Sequence, residues 1–265
     1  MNKSNKSRTL VNIIGLPLVV SSILLGGYYF ISFIYIVIFL GTKEYLDLLK
    51  KHSIEPSSIL LYLAQFSLLI CNSIFAVVDW FNISIFLVII TMIMEIFKKS
   101  STPLFNISSI LFGYIWIGVF LHFLIYVRSE TSGILMLAIF LSLWMCDTCA
   151  FFFGKHFGKT KIIPDISPNK TVLGSISGLF GSILFLSILS LMNVIQLTLL
   201  QSLILALITG GISQFGDFFE SSLKRELDIK DTSNILRGHG GVLDRFDSLF
   251  IIAPLLIFYL NFVIK

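Results

Sequence analysis

Charge is scarce in this 265-residue chain: Lys, Arg, Asp and Glu together make up 13% of it, against 56% apolar residues and a mean hydropathy of +0.93. A soluble globule carries about 25% charged residues, so that class is excluded. Cysteine is nearly absent, and three thiols give no disulfide framework. Cys146-Asp147-Thr148-Cys149 has CxxC spacing but lacks the second Cys or His pair that structural zinc needs. Its thiols therefore read as small residues inside a helix, with Asp147 an acid of separate interest. Long polar segments are missing too; the longest run from Gly154 to Lys170 and from Ser221 to Arg245. With no internal repeat, low-complexity tract or flexible linker, residues 1–265 read as one domain.

What the chain has in abundance is apolar sequence in long runs. Runs of about 20 residues match a hydrocarbon core of roughly 30 Å and exclude a barrel of short alternating strands. The expected fold is all-α, a polytopic integral membrane protein. Nine spans can be drawn, near residues 10–26, 28–42, 57–75, 80–97, 103–127, 133–153, 171–192, 196–216 and 246–264. The first two meet at Gly26-Gly27, where glycine permits a tight reversal; a single kinked or re-entrant segment is the alternative. Lys3, Lys6 and Arg8 before the run at Leu10 have the look of a secretory signal, but no convincing small-x-small cleavage site follows, and an uncleaved first helix is expected. Phenylalanine at 26 positions reads as lipid and helix packing.

With a cytoplasmic N-terminus and nine spans, 17 of the 19 Lys and Arg residues fall on the inner side, leaving Arg128 and Lys265 outside. That is the asymmetry of the positive-inside rule, and it stays at 12 to 2 without the charged segment near the C-terminus. Glu95, near the end of the fourth span, is expected in an interfacial ion pair with Lys98 and Lys99.

The charge that exists is concentrated. Residues 217–247 hold seven of the fifteen acids (Asp217, Glu220, Glu226, Asp228, Asp231, Asp244 and Asp247) and five of the basic residues (Lys224, Arg225, Lys230, Arg237 and Arg245). Charge kept beside lipid marks function. Asp217 ends the eighth span, while Asp244 and Asp247 begin the ninth, three residues apart and so on one helix face. Three converging carboxylates suit a hard divalent cation such as Mg²⁺, which completes its shell with phosphate oxygens and water. The Gly238-His239-Gly240-Gly241 turn can bring backbone amides close to phosphate, and Lys224, Arg225 and Lys230 can neutralise it. Taken singly, each has a plainer reading: a solvated helix end or an ion pair with Arg245 for an acid, topology or lipid attraction for a basic residue. Together they point to a phosphate-handling metal site.

Ser222-Leu223-Lys224-Arg225, then Lys230-Asp231, then His239-Gly240-Gly241-x-x-Asp244-Arg245-x-Asp247 resembles the signature of the phosphatidate cytidylyltransferase family. Asp147-x-x-Ala150, Gly154, Gly158, Ser167-Pro168-Asn169-Lys170-Thr171 and Gly216-Asp217-x-x-Glu220-Ser221 are similar to further family motifs in the same order. The likeness covers a catalytic half of about 140–250; before Asp147 it rests on hydropathy, with Glu44-Tyr45 a faint echo. Leu173 stands where the family has Glu, Asn169 where it has Lys, and Arg237 where it has Pro.

The resemblance implies transfer of CMP from CTP to phosphatidic acid, giving CDP-diacylglycerol and pyrophosphate. It implies Mg²⁺ on Asp217, Asp244 and Asp247, K⁺ as a second cation, and Lys224 and Arg225 steadying phosphates. Asp147, Ser167, Lys170, Thr171, Ser221, Ser222, Lys230, Asp231, His239, Gly240, Gly241 and Arg245 would line or orient the site. It further implies a homodimer without nucleic-acid partners; the short N-terminal tail without a transit peptide favours a bacterial cytoplasmic (inner) membrane, and the distribution of basic residues turns the site to the cytoplasm. A polyisoprenoid or archaeal-type lipid nucleotidyltransferase, or a lipid kinase, would share the phosphate site but not the apolar groove. A transporter would place its acids at midplane in paired repeats instead of at one edge. The departures at Leu173 and Arg237 leave an inactive relative open.

Overall fold

A computed structural model of the protein describes residues 3–75, 80–229, 232–233 and 240–264. Within lipid, helices satisfy every backbone polar group internally, and nine helical rods form among the described residues, with no strand. They are α1 Lys3–Leu25, α2 Gly27–Lys51, α3 Ser58–Phe75, α4 Trp80–Lys98, α5 Pro103–Glu130, α6 Gly133–Phe157, α7 Val172–Leu191, α8 Leu199–Glu226 and α9 Leu243–Ile264. α2 and α4 to α9 are long and apolar enough to cross a bilayer; α1 and α3 carry only the shorter apolar stretches Gly15–Leu25 and Ser58–Ile70. The all-α, multi-pass architecture is as expected.

Element ends differ from expectation where it matters for function. α8 runs on past residue 216 to Glu226, and α9 begins at Leu243, so Asp217, Lys224 and Asp244 stand on helix. The break between α1 and α2 is a true interruption: Gly26 and Gly27 lie at φ +64° and +49°, conformations open to glycine. Arg128 of α5 fixes it. Its Nε and Nη2 donate to the carbonyls of Ile23 and Leu24 at 2.7 and 3.2 Å, satisfying acceptors that the end of α1 leaves without partners. A Cβ at Gly26 would lie 2.5 Å from the Arg128 guanidinium.

Glu95 departs from its expected ion pair. It is buried and accepts from Asn106 Nδ2 of α5 at 2.8 Å, while Lys98 reaches out of the helix to the Glu55 carbonyl at 2.5 Å. Two helices facing each other across a dry seam can offer an amide at short range, whereas a lysine stem extends toward the membrane edge.

Two sets of contacts organise the interior. Tyr114, Ile117, Leu121 and Leu124 of α5 are fully buried in a core shared with α2 and α9, including Phe30, Ile34, Phe250 and Leu256. α6 and α7 instead meet nearly backbone to backbone. A Cβ at Gly174 would lie 2.7 Å from the Ala150 carbonyl oxygen, and one at Gly178 would lie 2.9 Å from that of Cys146. Lipid gives helices no hydrophobic reason to associate, so small residues that admit close packing supply it. Cys146 and Cys149 are free thiols of this seam, as expected, and Cys146 also donates to the Gly210 carbonyl of α8 at 3.4 Å. Ser142 and Thr209 hydroxyls, 2.7 Å apart, add a polar link between α6 and α8.

Enlarging the glycine seam tests this packing. Gly178→Ile is expected to destabilise by about 3 kcal/mol through overpacking, seen as a lowered thermal midpoint in detergent. Gly15→Ala, where nothing lies within 4 Å, should leave the midpoint unchanged or slightly raised.

Candidate active site

The ends of α6, α7, α8 and α9 meet at one side of the bundle, and the loop between α6 and α7 folds onto them. Thr171 starts α7 by accepting the Gly174 amide at 3.1 Å on its side-chain oxygen. Backbone bonds from Val172 to Thr160 and from Ile162 to Lys170 close the loop. Lys170 is thereby aimed at α8, its Nζ 2.6 Å from Asp217 Oδ2 and 4.4 Å from the centre of the Phe218 ring.

α8 and α9 touch at Gly216. A Cβ there would fall on the backbone carbonyl of Asp247, so only glycine admits the approach. The next side chain along α8 is Asp217, which this contact sets beside Asp247 with the two carboxyl groups within hydrogen-bond reach. Asp247 is 8% exposed and accepts the Ser248 amide at 2.6 Å. Two carboxylates in contact repel unless a proton or a cation lies between them.

Asp217 and Asp247 open onto a cavity of about 740 Å³. Phe140, Leu143 and Trp144, from the apolar middle of α6, line one part of it; Asp147, Lys170, Asp217, Asp244, Arg245 and Asp247 line another, with Lys155 and Lys161 added from the α6 end and its loop. Four acids and four basic residues thus share the wall. Asp147 interacts electrostatically with Asp217, Lys170 and Arg245.

Asp244 is engaged elsewhere. Lys224 sits between Asp244 Oδ1 at 2.8 Å and Glu220 Oε2 at 2.9 Å. Asp244 Oδ2 accepts the Gly241 amide at 2.6 Å, and the Thr232 hydroxyl and amide at 2.9 and 3.1 Å. The structure therefore does not gather the three expected acids at a point, and no group of three or more His, Cys, Asp or Glu side chains suited to a metal occurs among the described residues. The i, i+3 spacing is there, but an acid in the first turn of a helix is drawn to the loop amides and to Lys224. Asp217 and Asp247 remain as a donor pair that fits Mg²⁺, which commonly takes one or two carboxylates and leaves its other positions to water and phosphate.

Of the residues expected to line the site, Asp147, Lys170, Thr171, Asp217, Asp244, Arg245 and Asp247 do face this cavity. Lys224 borders a smaller one of about 200 Å³ further along α8, with Glu220 and Thr232. Arg225 is exposed and donates to the Ile166 carbonyl at 3.2 Å. Ser167 lies in the loop turn, its amide on the Ile163 carbonyl, and it is not in the cavity lining; neither are Ser221, Ser222, Gly240 and Gly241. Lys230, Asp231 and His239, like Arg237, lie outside the described residues. Leu173 is exposed on the first turn of α7, while Asn169 lines the cavity beside Lys170.

Sequence reasoning missed Lys155, Lys161, Ser175 and Gln214, which also line the cavity, and Glu44, which holds the chain entering α9. The lysines carried a signal in their charge, Lys155 at the end of α6 and Lys161 on the same loop as Lys170. Glu44 carried one in register: Val37, Gly41, Glu44 and Leu48 form a single buried stripe of α2, and an acid on such a stripe needs a partner.

The sequence profile described as "Cytidylyltransferase family" matches residues 6–263. The phosphatidate cytidylyltransferase of Staphylococcus saprophyticus is 33% identical over 256 residues, covering 95% of this chain and 97% of that protein. The one from Bacillus subtilis is 35% identical over 181 residues, covering 68% and 67%. That of Staphylococcus aureus is 33% identical over 257 residues, covering 95% and 97%. Because the match takes in α1 through α9 and the two staphylococcal relatives align along nearly their full length, the paired acids of α8 and α9 belong to a nucleotidyltransferase, and this chain is a member of the cytidylyltransferase family.

Proposed function

We propose that the protein transfers the cytidylyl group of CTP to phosphatidic acid, forming CDP-diacylglycerol and pyrophosphate. The observation that carries this reading is the single cavity in which the apolar middle of α6 adjoins a wall of four acids and four basic residues. One substrate of this reaction is a phosphate on a lipid and the other a soluble triphosphate, so their meeting place must be apolar on one side and charged on the other. The relatives named for phosphatidate agree with it.

In the reaction, a phosphate oxygen of phosphatidic acid attacks the α-phosphorus of CTP. The bond from that phosphorus to the α,β-bridging oxygen breaks, pyrophosphate leaves with the electron pair, and the new anhydride is the product. No protein nucleophile is needed; the work is positioning and charge neutralisation. Asp217 and Asp247 would hold Mg²⁺, which supplies Lewis-acid neutralisation of phosphate oxygens when bound. Lys170 and Arg245 offset the repulsion between two anionic substrates, and Lys155 and Lys161 draw nucleotide to the mouth. Asp147 lines the same wall, within electrostatic range of Lys170 and Arg245, and adds negative charge that those cations offset. We place the site on the cytoplasmic face of a bacterial inner membrane, a reading supported by the distribution of basic residues and by the solubility of CTP.

Purified protein in detergent, given labelled CTP, Mg²⁺ and phosphatidic acid, should form CDP-diacylglycerol; absence of product across salts and detergents would overturn the proposal. Asp217→Asn and Asp247→Asn are each expected to lower kcat at least about 100-fold, with the folded yield of the Asp217 variant preserved because that side chain is partly exposed. Lys170→Met should act chiefly on the KM for CTP, by on the order of tenfold, the scale of one charged hydrogen bond to phosphate. An unchanged KM would remove Lys170 from nucleotide binding.

A further inference from the structure

Glu44 of α2 lies far from residues 217–247 in sequence, is 1% exposed, and takes no part in the cavity. Its carboxylate nevertheless carries the chain that enters α9. Oε1 accepts the Ser233 hydroxyl at 2.5 Å and the Val242 amide at 2.8 Å; Oε2 accepts the Leu243 amide at 2.9 Å and lies 3.4 Å from the Thr232 hydroxyl. Two of these donors are amides at the start of α9, where a helix leaves N–H groups without partners and favours negative charge. The loop backbone lies flush on the carboxylate, since a Cβ at Gly241 would come 2.5 Å from Oε2.

The geometry pairs this acid with a second. Glu44 and Asp244 both bind the same two stretches of chain: Thr232 and Ser233 after α8, and Gly241 to Leu243 at the start of α9. Thr232, whose hydroxyl is in reach of both carboxylates, sits between them. We propose that Glu44 is a positioning residue for nucleotidyl transfer: it ties Thr232 and Ser233 to residues 241–243 and seats the first turn of α9, setting where Asp244 and Asp247 stand. The inference rests on the proposed reaction for its kinetic consequence but not for its structural one. Charge-assisted bonds to backbone amides are among the stronger hydrogen bonds, and no other acid reaches Val242 or Leu243 among the described residues.

Glu44→Gln is the informative substitution, because it keeps size and one acceptor oxygen while turning the other into a donor that faces donors. Hydrogen exchange followed by mass spectrometry should show peptides covering residues 240–249 exchanging at least tenfold faster than in the wild type, with peptides of α7 unchanged. The kcat/KM for CTP should fall at least tenfold. Ser233→Ala, which deletes one donor and leaves the acid in place, should give a two- to fivefold effect of the same kind, and it decides the matter if the Gln variant does not fold. Wild-type exchange in 240–249, or fast exchange there with wild-type kcat/KM, overturns the proposal. Should the wild-type protein itself not turn over CTP and phosphatidic acid, the reaction assigned above fails, and the exchange comparison still decides whether Glu44 seats the loop.

Discussion

The contact of α8 with α9 at Gly216 is the constraint from which the site follows. A side chain at that position would occupy the space of the Asp247 carbonyl. Without one, two helix backbones come together within a turn of the place where each carries an aspartate, and Asp217 and Asp247 are held at a separation that charge alone would oppose. The stabilisation that holds them there comes from the buried face of α9, including Leu249, Phe250 and Ala253, and from the core around α5. In lipid that stabilisation is close van der Waals packing rather than removal of apolar surface from water, the same kind of contact that joins α6 to α7.

Much of this was legible in the sequence, for particular reasons. Hydropathy gave the helices because backbone in lipid has few alternatives, and the density of acids near residues 217–247 gave the site because charge beside lipid is rare. Cys146 and Cys149 were legible as packing residues, since CxxC without further ligands leaves no metal chemistry. Local spacing was a poorer guide to which acids act together. Asp244 and Asp247 share a helix face, yet Asp247 turns to Asp217 while Asp244 turns to Lys224 and the loop amides. That choice is made by neighbours remote in sequence, Gly216 for one acid and Thr232 for the other. Glu95 was misread for the same reason: its partner, Asn106, belongs to the next helix. Glu44 lies 188 residues before Thr232, beyond the reach of any local pattern, although its place on the buried stripe of α2 marked it as an acid needing donors.

The two lysines expected to meet phosphate differ in a way that magnitudes decide. The Lys170 side chain is 29% exposed, but its ammonium is buried against Asp217 and the Phe218 ring, and it holds a single carboxylate whose side chain is 31% exposed. Under the reaction proposed above, a phosphate oxygen in the cavity would replace that one carboxylate and leave only Asp217 in need of another cation. Lys224 cannot act in this way. It is 17% exposed and lies between two carboxylates that are 4% and 9% exposed, so removing it would strand two buried acids. Such a loss costs about 3–5 kcal/mol. Lys224 is thus better placed to hold α8 against α9 than to follow a substrate, a role that suits Lys170 of the loop between α6 and α7 better. That loop ends at Thr171, whose side chain caps α7 and so fixes the backbone next to Lys170.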